Sequence, residues 1–437
     1  MNLFQTCAGD LAEVLVEGHW RLDDLVSRGG LRLGRRPRWL RPLARRLLEA
    51  FPDGRPTSDR VSAFLKSDAK FRKQWPFALV VQNRPLPVMA PRPGPPEKWP
   101  VPAIVTPSRL ADRLGLSLDE LDWFADRRGL ERLTIEGPLR HYSYRWKPKR
   151  NGSLRLIEAP KDRLKAIQRR ILDEVLAPIP PHDAAHGFCP GRSVGSFVEP
   201  HAGRSVVLKL DLDNFFPTIS LARVIAVFLT AGYPEVVARI LAGLCTNRVP
   251  SSLWKRPDAP SGGPEDWRTR HLYREAHLPQ GSPTSPNLAN LVAFRLDARL
   301  SALASSSGAT YTRYADDLAF SGDDRFARSI ARFPVHASAI VLEEGFAVNP
   351  RKTRVMRQGV RQQLAGAVLN VRPNIARDEF DALKATLYNC LQHGPTAQNR
   401  AGHDDFRAHL LGRIAHVATL NPDRAQKLQQ MFDRIEW

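Results

Sequence analysis

The chain has 437 residues, of which 43% are hydrophobic and 25% are charged, as expected for a globular protein of two or three packed units. It carries 65 Lys and Arg residues against 45 Asp and Glu residues, and the net charge of +20 favours a polyanionic partner, above all nucleic acid. No apolar run approaches the ~20 residues that span a bilayer, which disfavours a membrane protein. The four scattered cysteines predict reduced thiols, and the N-terminus lacks a secretory signal pattern, so we expect a cytoplasmic protein.

The first part of the chain is predicted to be helical and basic. Residues 1–82 have apolar residues at helical spacing beneath Arg-rich faces, which indicates a helical N-terminal extension. Residues 83–105 are so rich in proline that we interpret them as an extended linker. Two short helices should follow, with Ser108 and Ser117 as N-caps and with Glu120 completing a capping box at the second helix.

The remaining chain mixes strand and helix patterns. Residues 142–160 alternate apolar and basic side chains around the Asn-Gly pair at 151–152, which favours a hairpin turn. Apolar residues across 288–303 recur at helical spacing and predict one amphipathic helix. Residues 348–437 have a helical pattern, with Asn421 as the N-cap of the last helix.

Three aspartates are candidates for a metal centre. Asp316 and Asp317 join two strand-like runs, and adjacent like charges repel each other unless a cation compensates them. Two Mg²⁺ ions, which prefer oxygen ligands, would do so. Asp211 follows the apolar run 206–210, a predicted buried strand, so its carboxylate would stand at a strand end and could bridge both metals. In such a centre one ion lowers the pKa of an attacking hydroxyl and the other neutralises the leaving pyrophosphate.

The flanks of these aspartates carry a family resemblance. Residues 314–317, Tyr-Ala-Asp-Asp, resemble the YxDD box of reverse transcriptases, and residues 211–217 resemble their first palm motif. Further segments resemble, in the family's order, the fingers strands, the motif that grips template and nucleotide, the next palm motif, and two parts of the retron thumb: 147–160, 278–290, 345–355, 361–370 and 408–422. The resemblance covers roughly residues 105–437, and several ordered motifs make a chance match improbable.

The resemblance implies an α+β right-hand polymerase with an antiparallel palm sheet, a helical thumb and a helical N-terminal extension. We therefore predict a basic extension over 1–82, a Pro-rich linker over 83–105, fingers and palm over 106–345, and the end of the palm with the thumb over 346–437.

The resemblance also implies roles for individual residues. Asp211, Asp316 and Asp317 would be the catalytic aspartates and hold two Mg²⁺ ions. Phe216 would lie beneath the sugar, where its ring would exclude a ribose 2′-hydroxyl and favour dNTP over NTP. Further residues would contact the incoming nucleotide and its template: Arg155 and Lys149 at the triphosphate, Gln280 and Gly281 through close backbone approach, and Lys352 near the leaving pyrophosphate.

Within the family the chain looks most like a retron reverse transcriptase. Such an enzyme copies part of a structured noncoding RNA from a 2′-hydroxyl primer, forms an RNA–DNA hybrid and a covalent RNA–DNA product, and often acts in anti-phage defence with an effector protein. His201 and Arg192 would contact that RNA. The chain departs from the usual retron pattern before the first palm motif, where 197–201 keeps only the histidine, and at 364–366, where Leu-Ala-Gly stands for Val-Thr-Gly.

Other classes compete with this interpretation. Another defence reverse transcriptase or an intron-type enzyme would share the motifs. A phosphatase of the haloacid-dehalogenase type also places Asp-x-Asp after an apolar strand, as at Asp211 and Asp213, but the bulky 215–217 segment disfavours its small open loop. A retired polymerase that only binds RNA is disfavoured by the intact set of acids, lysine and aromatic residue.

Overall fold

The computed structural model describes residues 3–33, 36–74, 89–90, 99–127, 129–131, 137, 140–148, 154–255, 259 and 264–437. The chain divides into two compact units, in agreement with the expected two or three. Unit 1 comprises Met1–Ile179 and Ile219–Leu288, and unit 2 comprises Pro180–Thr218 and Ala289–Trp437. The boundaries between the four segments predicted above stay predictions, and most of the Pro-rich segment lies outside the described residues.

Unit 1 begins with five helices that share one core. In the third of them, residues Leu40, Leu43, Ala44 and Leu47 are buried on one face at the spacing of an amphipathic helix. Their apolar side chains pack with those of the neighbouring helices into one cluster. The five helices are α1 (Leu3–Leu15), α2 (Leu22–Arg32), α3 (Leu40–Ala50), α4 (Ser58–Ser67) and α5 (Ala69–Gln74).

Helices α6 (Pro107–Leu114) and α7 (Leu118–Ala125) follow, and one of the two predicted N-caps is wrong. Thr106 caps α6, because Pro107 occupies the first turn, where a residue without an N–H is tolerated. Ser108 lies inside the helix, fully buried, and its hydroxyl donates to Glu17 Oε1 at 2.8 Å. The capping box of Ser117 and Glu120 is confirmed.

A two-stranded hairpin and further helices complete unit 1. Strands β1 (Tyr142–Pro148) and β2 (Leu154–Pro160) pair antiparallel, as predicted, although the Asn-Gly pair at 151–152 lies outside the described residues. The helices are α8 (Asp162–Ile171), which continues as a π-helical turn over Leu172–Leu176, then α10 (Leu221–Thr230), α11 (Glu235–Cys245) and α12 (Pro264–Arg274). A 3-10 turn covers Ser251–Lys255, and α13 (Ser285–Val292) runs from unit 1 into unit 2.

Unit 2 is built on a four-stranded sheet with the order β4-β5-β3-β6. Its strands are β3 (Val206–Asp211), β4 (Ala309–Tyr314), β5 (Asp317–Gly322) and β6 (Arg354–Arg357), and every neighbouring pair is antiparallel. The antiparallel sheet expected from the sequence is confirmed. Strand β3 is buried on both faces except at Lys209, which explains why its sequence is apolar apart from Lys209 and the terminal Asp211.

Two predictions for unit 2 need correction. The single helix expected over 288–303 is two helices, α13 and α14 (Phe294–Ser306), which meet at Ala293. The segment 348–437 is not wholly helical, since β6 and a small sheet precede its helices. Short strands of two residues carry too little period-2 pattern to be recognised from sequence. The small sheet that precedes the helices consists of β7 (Gln363–Leu364), β8 (Ala367–Val368) and β9 (Asn374–Ile375).

The helices of unit 2 pack around these sheets, and the last of them begins at its predicted N-cap, Asn421. Asn421 accepts a hydrogen bond from the Arg424 N–H and Pro422 follows at the first helical position, so the predicted start of the last helix is confirmed. The helices not yet given are α9 (Val194–Val198), α15 (Asp324–Ser329), α16 (Phe333–Glu343), α17 (Arg377–His393), α18 (Phe406–Ala418) and α19 (Pro422–Phe432). Within the described ranges, none of the helices has the length and apolar character needed to cross a membrane.

Candidate active site

The three candidate aspartates lie close together at one end of strands β3, β4 and β5 of the unit 2 sheet. Asp211 ends β3 and Asp317 begins β5, and the two residues are direct partners in the antiparallel register. Asp316 lies in the tight turn between β4 and β5, where Ala315 adopts a left-handed φ of 54°. The Leu212 N–H donates to the Asp316 carbonyl at 2.8 Å, so the turn is bonded to the chain that leaves β3. The backbone therefore brings three carboxylates to one place.

Two lysines partner these carboxylates. Lys352 Nζ lies 2.9 Å from both carboxylate oxygens of Asp211, and Lys209 Nζ lies 2.8 and 2.9 Å from the two oxygens of Asp317. Even so, burial raises the pKa of Asp211, and the charge of Asp316 adds to the effect. Burial raises the pKa of Asp317 too, and the charge of Asp211 adds to it. Negative charge is thus held at an electrostatic cost, which a bound cation would reduce.

The donor chemistry of the site suits magnesium, although the side chains do not form a closed ligand set. Carboxylate oxygens are the ligands that Mg²⁺ prefers. Among the residues that the structure describes, no group of three or more His, Cys, Asp or Glu side chains is arranged to hold a metal ion. The carboxylates of Asp211 and Asp317 are directed to the two ammonium groups instead. Metal binding therefore requires Lys209 and Lys352 to give up some of these oxygens.

A buried arginine holds the turn between β4 and β5. Arg313 is completely buried and makes a bidentate ion pair with the equally buried Asp297, at 2.8 Å from Nε and 2.7 Å from Nη2. Its remaining nitrogen donates to Asn290 Oδ1 at 3.0 Å and to the Ala315 carbonyl at 3.1 Å. The Gly187 backbone approaches the same turn so closely that a Cβ there would lie 2.7 Å from Ala315 N. Arg313 thus ties the turn of Asp316 to helix α14.

Phe216 is braced by other aromatic rings. It is half-buried, and its ring centroid lies 5.6 Å from that of Phe215. Phe215 is buried and lies 5.4 Å from Phe346, while the Arg313 guanidinium stands 5.8 Å above its ring. Asn214 precedes the pair with a left-handed φ of 47°, which turns the chain sharply after β3. Phe216 therefore lies against Phe215 on the segment that directly follows Asp211 and Asp213.

The predicted nucleotide-contact residues of unit 1 lie on two adjoining segments. Arg155 is exposed on β2, opposite Lys147 of β1. The Gln280 carbonyl accepts the N–H of Glu158 at 2.9 Å, and Gly281 has a φ of 133° that a residue with a Cβ rarely adopts. Lys149 lies outside the described residues.

The two candidate RNA-contact residues differ in exposure. His201 is completely buried, with Nδ1 2.6 Å from Ser321 Oγ and Nε2 2.7 Å from Thr312 Oγ1. Burial lowers the pKa of His201 to about 3, so the ring is neutral and its position favours a structural role over an RNA contact. Arg192 is partly exposed, but its guanidinium donates to the carbonyls of Asp183 and Ala185.

Sequence reasoning missed Lys209 and Arg313. Lys209 precedes Asp211 by two residues on β3 and therefore lies on the same face of the strand, a signal that was available. Arg313 gave no comparable signal, because its partner Asp297 lies on a different element whose position only the fold defines.

Comparison with known proteins shows the family of the chain. A family model described as reverse transcriptase (RNA-dependent DNA polymerase) matches residues 147–383, more than half of the chain. Retron Mx65 reverse transcriptase of Myxococcus xanthus is 39% identical over 82% of this chain and 79% of its own length. Retron Mx162 reverse transcriptase of the same organism is 39% identical over 75% of this chain and 66% of its own length. A solved structure of Candida albicans telomerase with an RNA fragment covers 67% of this chain and 63% of its own, at 12% identity and a TM-score of 0.33, too low to define a fold.

These matches define the class of the protein as an RNA-directed DNA polymerase. The chain belongs to the reverse transcriptase family, and it is similar to retron reverse transcriptases over most of its length. Membership implies a right-hand polymerase fold, with which the mixed helices and antiparallel sheets agree. It also removes the basis for the phosphatase alternative.

Replacing Arg313 by lysine tests whether the buried pair supports the turn. A single ammonium cannot reproduce a bidentate pair plus two further bonds, so we expect the free energy of unfolding to fall by about 3 kcal/mol and primer extension to slow. Denaturant titration and extension rates measure both. Arg299→Lys, at a partly exposed arginine paired with Glu343 and Glu344, is the matched control and should change little. An Arg313→Lys variant as stable as the wild type would show that the buried pair does not support the turn.

Proposed function

We propose that the chain is a retron-type reverse transcriptase, which copies part of a structured noncoding RNA into DNA by two-metal-ion nucleotidyl transfer. The observation that carries the mechanism is the direct pairing of Asp211 with Asp317 across β3 and β5, with Asp316 in the adjoining turn. The retron names of the relatives at 39% identity support the type of enzyme.

In this proposal Asp211, Asp316 and Asp317 hold two Mg²⁺ ions. Bound there, the ions would lower the pKa of the attacking 3′- or 2′-hydroxyl and would neutralise charge on the leaving pyrophosphate. Lys352 has a half-exposed side chain, 48% accessible, so its ammonium can leave the Asp211 carboxylate and move to the pyrophosphate, where it would donate a proton. Lys209 is less exposed, at 23%; it would release one Asp317 oxygen to the metal and stay bonded to the other, which balances the charge.

The remaining residues would select and bind the nucleotide. Phe216 would exclude a ribose 2′-hydroxyl, and the packing of Phe215 behind it limits how far the ring can retreat. Arg155 and Lys149 would bind the triphosphate, since a guanidinium matches phosphate oxygens in shape and charge. Gln280 and Gly281 would present backbone to the incoming nucleotide and template.

The partners we propose follow from the family and from the charge. A structured noncoding RNA would serve as primer and template, and the net charge of +20 would favour binding of its backbone and of the RNA–DNA hybrid. A role in anti-phage defence with an effector protein extends this proposal and is supported by the retron resemblance alone.

Asp316→Asn tests the chemistry. Loss of one carboxylate from a two-metal centre should lower primer extension by at least about 10³-fold, because metal-bound charge stabilisation supplies several kcal/mol to the transition state. Mg²⁺ should raise the Tm of the wild-type protein and have a smaller effect on the variant. Asp213→Asn is the matched control: Asp213 is exposed, one residue beyond Leu212, and should be dispensable. Equal incorporation by wild type and Asp316→Asn would end the polymerase proposal for this site.

Phe216→Val tests sugar selection. A smaller side chain leaves space for the 2′-hydroxyl, so the ratio of kcat/KM for dNTP over rNTP should fall about tenfold or more. Single-nucleotide incorporation with matched dNTP and rNTP measures the ratio. Phe294→Val removes a ring of the same size from an exposed position in unit 2 and should keep the wild-type ratio. An unchanged ratio in Phe216→Val would show that another residue selects the sugar.

Nucleic acid that co-purifies with the protein tests the retron assignment. We expect one structured RNA joined covalently to short DNA, which sequencing after separate ribonuclease and deoxyribonuclease treatment would identify. A preparation that retains only a random sample of cellular RNA would contradict the retron type while leaving the polymerase activity intact.

A further inference from the structure

A buried polar network in unit 1 lies directly against the Gln280–Gly281 segment. Glu158 on β2 is 0% exposed, yet it is a carboxylate. Its Oε1 lies 3.0 Å from His277 Nε2, and its Oε2 accepts from Asn247 Nδ2 at 2.6 Å. A charge this deep in a protein is costly unless it is paired and hydrogen-bonded, and both conditions are met here.

The hydrogen-bond pattern defines the charge of His277. Its Nδ1 faces the Glu275 carbonyl at 2.7 Å and its Nε2 faces the Glu158 carboxylate. With Glu158 ionised, both partners are acceptors, so each ring nitrogen donates a proton and the ring is an imidazolium. Burial alone would lower the pKa of His277, but the charge and hydrogen bond of Glu158 raise it. His277 and Glu158 therefore form a buried ion pair.

The same residue, Glu158, contacts the loop through its backbone. Its N–H donates to the Gln280 carbonyl at 2.9 Å, and its own carbonyl would lie 3.0 Å from a Cβ at position 281. Gly281 can approach this closely because it has no side chain and tolerates a φ of 133°. The next residue, Ser282, is buried and donates to Gln168 Oε1 at 2.8 Å, which anchors the far side of the loop.

The network also determines which face of β2 is outward. Leu156, Glu158 and Pro160 are the buried residues of the strand, so Arg155 points to the opposite, exposed face by the two-residue period of a strand. Tyr144, the partner of Glu158 in the β1–β2 register, extends the network by accepting from Asn247 Nδ2 at 3.1 Å. A change of register in β2 would bury Arg155 and expose Glu158.

We propose that Glu158, held by His277 and Asn247, is a positioning residue that fixes the Gln280–Gly281 loop and the outward face of β2 for nucleotide binding. The proposal deepens the function proposed above and rests on the nucleotide-binding role of Gln280, Gly281 and Arg155. Glu158 itself touches no substrate. Its effect should therefore appear in the KM for dNTP and not in the KM for primer–template.

Two substitutions at position 158 separate shape from hydrogen bonding. In Glu158→Gln the amide oxygen can accept from Asn247 and the amide nitrogen can donate to a neutral His277, so every bond is kept and the KM for dNTP should stay within about threefold of wild type. Glu158→Ala removes both side-chain bonds that fix the Glu158 backbone against the loop, so the loop is held less precisely and the KM for dNTP should rise about tenfold or more. Steady-state extension on one primer–template, normalised to active enzyme by titration, measures both.

Further variants keep the test decisive. Asn247→Ala removes one of the two bonds and leaves the ion pair, so it should raise the KM for dNTP in the same direction by a smaller factor even where Glu158→Ala does not fold. Glu235→Ala removes an exposed glutamate paired with Arg239 in the same unit and should leave both KM values unchanged. Gly281→Ala should raise the KM for dNTP, and its effect should not add to that of Glu158→Ala, because both displace the same loop.

The outcomes distinguish this inference from the proposed function. If Asp316→Asn abolishes extension but Glu158→Ala leaves the KM for dNTP at the wild-type value, the positioning role is wrong and the polymerase proposal stands. A fall in active fraction or kcat with both KM values unchanged would show a purely structural residue and also overturn the inference. If Asp316→Asn extends normally, the proposed function itself fails.

Discussion

The geometry of the candidate active site depends on one buried ion pair, that of Arg313 with Asp297. Burying two charges costs more than their attraction returns unless every remaining donor and acceptor is satisfied. Here the guanidinium bonds Asp297, Asn290 and the Ala315 carbonyl, and Asp297 also accepts the Tyr311 hydroxyl at 2.8 Å. Such a pair adds little net stability but defines one arrangement. Through the Ala315 carbonyl it holds the turn in which Ala315 has a left-handed φ and Asp316 is bonded to the chain that leaves β3.

Each unit contains a buried polar network that holds neighbouring segments in place. In unit 2 a buried arginine holds the turn that carries two carboxylates, and in unit 1 the buried Glu158 holds a loop and a strand. Both networks join elements that are distant in sequence, and in unit 1 the exposed Arg155 lies on the face of β2 opposite the buried Glu158. Exposed residues cannot hold themselves in place, because solvent offers them many rotamers. Rigid buried polar groups supply the order that the exposed ones lack.

Features that depend on neighbouring residues could be predicted from the sequence, whereas contacts between residues distant in the chain could not. The capping box of Ser117, the cap at Asn421, the hairpin of β1 and β2 and the strands around Asp316 follow from local patterns, and the structure confirms them. Ser108 was misplaced by a local competitor, Pro107, whose preference for the first turn moved the helix start by two residues. The partners of Glu158 and Arg313 were not predictable, since no local pattern encodes which distant side chain completes a buried network.

The net positive charge of the whole chain and the negative charge of the candidate site act on a polyanion in opposite ways. Over the whole chain the surplus of +20 attracts a nucleic acid backbone from a distance. At the candidate site, Asp211 and Asp317 are each paired with a lysine, and burial still raises the pKa of both carboxyl groups. A polyphosphate approaching those carboxylates alone would be repelled, and Lys209 and Lys352 are engaged with them. Nucleotide and divalent cation should therefore bind together, since each supplies the charge that the other needs. In the proposed function, the long-range field would bring the polyanion near, and the local acids would accept its phosphates together with metal ions.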